Sequence, residues 1–135
     1  MTKKVFPAEL EKLDSVIAFV EEELEKVDCP IKVTTALDVC VEEIFVNIAH
    51  YAYPGKSGSA EISVNADPAD NSIVIQFSDE GIPFDPLKRT EPDVSLGADE
   101  RSIGGLGIFM VKKMTDEMTY EYTCGRNVLT IKKFL

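Results

Sequence analysis

"RSIGGLGIFMVKKM" (residues 101–114) places three glycines within four positions, Gly104, Gly105 and Gly107, directly before an apolar run of helical character. A glycine-rich helix start lets backbone N–H groups and the positive end of the helix dipole approach an anion. Neither common phosphate loop fits. No Lys-Ser or Lys-Thr follows at P-loop spacing, and no strand immediately precedes the glycines, as a dinucleotide fingerprint requires. The plain alternative is a flexible hinge at a helix start. Lys112 and Lys113 read as solvated helix charges.

Working outward, the chain divides into runs of helix and runs of strand. Residues 2–6 can form a short edge strand. Leu10, Leu13, Ile17, Val20 and Leu24 recur at three- and four-residue steps and predict an amphipathic helix to about Val27. Pro30 suits the first turn of a second helix, about 31–53, which Pro54-Gly55 ends. Strands follow at Ala60–Ala66 and Ser72–Ser78, joined through Asp67–Asn71. A polar stretch, 85–103, has the length of a lid or binding loop. A third helix, about 105–115, then precedes strands at about 117–123 and 127–134, with a turn at Cys124–Asn127. This order predicts an α+β, two-layer sandwich: a mixed, mostly antiparallel sheet of about five strands with about three helices on one face.

The 135 residues suit one domain, 1–135. A net charge of −10 argues against direct binding of nucleic acid. It is compatible with a nucleotide ligand held by backbone amides and a metal ion. Cys29, Cys40 and Cys124 are too few and too widely spaced for a disulfide framework or a zinc ribbon. Reduced thiols, an acidic N-terminal region unlike a signal peptide, and no apolar run of about 18 residues together predict a cytoplasmic protein without a membrane segment.

Two further segments carry candidate chemistry. In the second helix Glu43, Asn47 and His50 fall at i, i+4 and i+7, a narrow polar stripe on an otherwise apolar element. It reads either as a solvated edge or as a carboxylate and an amide facing a cleft. In the cleft reading, Glu43 suits a general base and the Asn47 oxygen suits Mg2+. The second segment, Ser78–Pro86, begins where an apolar strand stops. It reads either as a simple turn or as a pocket in which Asp79 accepts from an exocyclic amine and Gly81 admits a flat ring.

The order of these features resembles the ATP-binding fold shared by DNA gyrase, MutL and histidine kinases, often called the Bergerat fold. Its N box matches Glu43-x-x-x-Asn47, its first glycine box Asp79–Phe84, and its second Gly104–Gly107. The stretches "EEIFVNIAHYAYPG", "DEGIPFDPL", "ERSIGGLGIFMVKKMTDEMTYEY" and "GRNVLTIKKF" are similar to those of stand-alone bacterial anti-sigma factor serine/threonine kinases. The resemblance implies ATP and Mg2+ as cofactors, with Asn47 on the metal and Glu43 as general base. It implies Asp79 on the adenine amine, Gly81 under the ring near Phe84, and Thr130 supporting that pocket. Gly105, Leu106 and Gly107 would lie along the phosphates, Gly104 would hinge a lid spanning about 85–103, and Arg101 would reach the terminal phosphate. It further implies a sigma factor and an anti-anti-sigma (STAS-type) protein as partners, phosphorylation of the latter on serine, and a homodimer. An ATP-gated switch that grips a partner without phosphorylating it is the alternative. His50 stands one residue before the position where many relatives carry histidine, which marks it as a structural or pocket-edge residue and not a catalytic one. Glu42 is a second carboxylate beside Glu43, and the four-residue step to Asn47 favours Glu43.

Overall fold

The computed structural model describes residues 2–88 and 105–135. Five strands, β1 (Thr2–Pro7), β2 (Ser59–Asp67), β3 (Ser72–Asp79), β4 (Glu117–Thr123) and β5 (Arg126–Phe134), form one sheet in the order β1-β2-β3-β5-β4. Three helices, α1 (Leu13–Glu25), α2 (Ile31–Tyr51) and α3 (Gly105–Met114), make the second layer. The expected α+β sandwich is present. One detail changes: all four strand pairings are antiparallel, so among the described residues the sheet is not mixed. The first helix also begins later than its apolar spacing suggests, after a short 3-10 turn at Leu10–Lys12.

Strand alternation divides the sheet into a core face and an open face. On β3, Ile73, Ile75 and Phe77 are buried, while Gln76 between them is exposed. β5 matches it, with Phe77 opposite Leu129 and Ile75 opposite Ile131. These side chains meet Val16, Phe19, Val20 and Leu24 of α1, Leu37, Val41, Ile44 and Phe45 of α2, and Ile108 and Val111 of α3 in one hydrophobic cluster. Burying each such side chain is worth about 1.5–3 kcal/mol. The cluster therefore fixes which face of α2 points inward.

The hairpin between β4 and β5 is tighter than its sequence suggests. Cys124 and Gly125 both have positive φ, 53° and 75°, the combination of a two-residue type I′ turn. Because that turn closes in two residues, Arg126 and Asn127 join the strand, and Asn127 lies opposite Asp79.

All three cysteines are free, and burial pushes the Cys40 thiol up to about 11. At the seam of α1 and α2, Asp38 Oδ1 is buried with no hydrogen-bond partner among the described residues. Burial, and then the hydrogen bond and charge of Glu21, push the Asp38 carboxyl up to about 7. The folded state thus holds a proton that the unfolded chain releases near pH 4. The stability this proton gives is complete below that pH and is lost as pH rises toward 7. Asp38→Asn keeps a permanent donor toward Glu21, so its melting temperature relative to wild type should climb from pH 5 to pH 8. A thermal-melt series over that range measures the difference; a pH-independent offset would rule out Asp38 as the titrating group.

Candidate functional site

At the end of the sheet where β3 stops, helices and strands part to leave a cleft of about 490 Å³, counted to its open mouth. Its walls come from α2 (Ile44, Asn47, Ile48, Tyr51), from β3 and the segment after it (Phe77, Asp79, Ile82, Phe84), and from Ile108 of α3. Tyr120, Asn127 and Leu129 close the remaining side. The lining is apolar with a few polar groups, the composition of a small-ligand site.

Asp79, the last residue of β3, is only 5% exposed. Its Oδ1 accepts from the Gly81 N–H at 2.9 Å and from Asn127 Nδ2 at 2.9 Å. Oδ2 accepts no hydrogen bond among the described residues. The loop that follows has every backbone donor assigned. The Glu80 N–H donates to the Tyr53 hydroxyl (2.8 Å), Gly81 to Asp79, Ile82 to the Ala52 carbonyl (2.9 Å) and Phe84 to Asn127 Oδ1 (3.1 Å), while Pro83 has no N–H to place. A loop held at each donor is a rigid pocket wall, not a loose turn. Gly81 is required there, because a Cβ would strike the backbone carbonyl and Cβ of Ala52.

Tyr53 braces this wall from the far side. Its hydroxyl donates to the Ser59 carbonyl at 2.5 Å while accepting from Glu80, and desolvation by burial is the main cause raising its pKa. Its ring occupies the space a Cβ on Gly58 would need. On the outer side Arg126 joins the wall to the hairpin, with Nε donating to Ser78 Oγ and NH1 to Glu80 Oε1, each at 2.7 Å.

On α2, Asn47 faces the cleft. Glu43, one turn earlier, stands against Gly107, where a Cβ would fall on its carboxylate. Gly107 is therefore the residue that lets a carboxylate rest on the first turn of α3. Glu42 is exposed, so of the adjacent pair it is Glu43 that faces α3. The polar stripe continues from Asn47 to Tyr51 and not to His50, which is exposed with its ring centroid 5.9 Å from that of Tyr51. Lys112 and Lys113 are exposed, and Lys113 lies 5.3 Å from the Phe109 ring centre.

Two expectations need comment. Thr130 does not reach the cleft. Strand alternation puts it on the open face opposite Gln76, whose Nε2 donates to its hydroxyl at 3.2 Å. Asn127, three residues earlier and on the inward face, is the β5 side chain that meets Asp79. Gly105 opens α3, followed by Leu106, whereas Arg101, Gly104 and residues 89–103 of the expected lid lie outside the described residues. Tyr51, Tyr53, Tyr120 and Asn127 carry no signal strong enough to single them out by sequence. Each is an ordinary helix, strand or turn residue until the register is known.

No group of three or more His, Cys, Asp or Glu positioned for a metal occurs among the described residues. Asn47 offers the cleft an amide oxygen, a hard donor of the kind that would suit a magnesium ion. No described helix is long and apolar enough to cross a membrane.

The chain is 29% identical over 100 residues to the serine-protein kinase RsbW of Listeria monocytogenes, a match covering 71% of this chain and 63% of that protein. It is 25% identical over 96 residues to the serine/threonine-protein kinase BtrW of Bordetella bronchiseptica, covering 70% and 66%. The chain thus spans less than two thirds of the length of the curated relatives it matches. Its fold resembles that of the Acinetobacter baumannii histidine kinase AdeS, with a TM-score of 0.50 and 13% identity over 99% of this chain and 68% of that one. Residues 6–133 match the model of the histidine kinase-like ATPase domain, and the chain belongs to that family.

Proposed function

We propose that the chain binds ATP in this cleft and transfers the γ-phosphoryl group to a serine of a protein partner. The observation that carries this reading is the Glu43 carboxylate, seated against Gly107 one helical turn before Asn47, beside a cleft that ends in Asp79. Asp79 Oδ2 suits the adenine amine, Gly81 and Ile82 form a flat wall for the ring, and Asn47 serves the magnesium on the phosphates. That ion, when bound, neutralises phosphate charge. Glu43 takes the proton of the attacking serine hydroxyl. The serine oxygen bonds to the γ-phosphorus, the bond to the bridging oxygen breaks, and ADP leaves with that electron pair. Positioning and charge neutralisation do most of the work in such a transfer, and a carboxylate base adds about 10²–10⁴-fold.

The names of the similar proteins support a serine kinase, and the resemblance to anti-sigma factor kinases supports the rest of the reading. The partner phosphorylated is an anti-anti-sigma protein, the partner sequestered is a sigma factor, the working unit is a homodimer, and the compartment is the cytoplasm.

Glu43→Gln should lower phosphate transfer to the anti-anti-sigma partner by about 10²–10⁴-fold with ATP affinity close to that of wild type. Transfer assays with labelled ATP, paired with calorimetric titration, separate the two quantities. Wild-type protein that binds ATP and the partner but yields no phosphoserine would point to a non-catalytic switch.

The glycines give a second, independent check. In Gly107→Ala the nearest atoms to the new Cβ all belong to the Glu43 side chain, and Ala favours the helix by about 0.5–1 kcal/mol. Melting temperature should therefore hold while the displaced base costs about 10²-fold in transfer. Gly81→Ala meets backbone instead and should lose about 1–3 kcal/mol of stability. Thermal melts of both variants decide whether Gly107 serves chemistry or merely starts a helix.

A further inference from the structure

Asn127 is 7% exposed, and its amide is fully used. A side-chain amide has two N–H donors and two acceptor lone pairs. Nδ2 donates to Asp79 Oδ1 at 2.9 Å and to the Ile82 carbonyl at 2.8 Å. Oδ1 accepts from the Phe84 N–H at 3.1 Å and from the Tyr120 hydroxyl. Nothing remains for a ligand, so whatever Asn127 does for a bound molecule it does through its neighbours.

Those neighbours are the polar parts of the base pocket. Asn127 and the Gly81 N–H both donate to the same Asp79 oxygen, which turns Oδ2 outward as the one offered to the cleft. The other three bonds tie the Ile82–Phe84 wall and β4 to that carboxyl. Resting on the reading of the cleft as an ATP site, we propose that Asn127 is a positioning residue for base recognition. It fixes which oxygen of Asp79 meets the exocyclic amine and locks the adjoining wall to it.

A residue that only stabilised the fold would, when replaced, weaken every nucleotide alike. A residue that orients Asp79 has a selective effect, because a site built to hydrogen-bond one group penalises ligands lacking it. Asn127→Ser removes both arms of the amide without adding charge. It should bind ATP about tenfold more weakly while changing little toward inosine triphosphate, which carries an oxo group in place of the amine. Asn127→Asp sets two carboxyl groups at hydrogen-bond distance, where they share one proton. Its ATP affinity, relative to wild type, should be about tenfold lower at pH 8.5 than at pH 6.

Calorimetric titration of wild type and both variants with ATP and inosine triphosphate in magnesium buffer, at both pH values, gives the answer. Circular dichroism alongside establishes which variants fold. If Asn127→Asp fails to fold at pH 8.5, the selectivity of Asn127→Ser decides alone. Equal losses for the two nucleotides in Asn127→Ser would overturn the assignment, and so would a pH-independent loss in folded Asn127→Asp. Wild-type protein that does not bind ATP would overturn the ATP-site reading itself, a separate outcome from either.

Discussion

A carboxyl group buried at the end of the central strand constrains everything around it. Taking a charge-bearing group out of water costs several kcal/mol unless it is paired and hydrogen-bonded, and Asp79 is 5% exposed. Its compensation comes from two donors, the Gly81 N–H and Asn127 Nδ2. The first requires the chain to fold back within two residues over Ala52, where only glycine fits. The second requires β5 to enter the sheet already at Arg126, which the two-residue turn at Cys124-Gly125 permits. Strand pairing, turn type and a glycine are thus parts of one solution to the placement of a single side chain.

The same logic explains why the cleft lies where it does. α2 buries Leu37, Cys40, Val41, Ile44 and Phe45, so most of its circumference is committed to the core. Of its polar groups, Glu43, Asn47 and Tyr51 fall on the side that meets α3 and the end of β3. Glu43 takes the part of that side against Gly107, and Asn47 and Tyr51 take the part that opens toward Asp79. The hydrophobic cluster therefore orients the candidate base and the candidate metal ligand, although neither belongs to it.

Much of this was readable from residue order. Helical spacing located α1 and α2, alternation and turn residues located β2 and β3, and the glycines located α3, because each is a local pattern. The Glu43–Asn47 step survives in space because it is set by helix geometry alone. What failed to show was non-local. Asn127 stood at the junction of the expected turn and strand, since asparagine is a turn former, and only the register of β5 shows that it lies opposite Asp79. Thr130 carried the expected polar character but lies one position out of phase, and a shift by one residue moves a strand side chain to the other face. Tyr53 and Gly58 are five residues apart in a loop, and nothing in that spacing shows that the ring needs the glycine's missing Cβ.

Charge sets a final constraint on how such a site can hold ATP. The chain carries a net charge of −10, and no Lys or Arg is among the described residues that line the cleft. Bringing a polyanionic triphosphate to that surface is electrostatically unfavourable unless its charge is neutralised locally. Backbone N–H groups at the start of α3 offer partial positive charge, but a helix terminus contributes only about half an elementary charge. On the proposed reading, the magnesium ion carried by the ligand adds to that compensation. The division of labour is then clear in physical terms. On that reading Asp79 and its supports would select the base, and the metal that Asn47 meets would serve the phosphates.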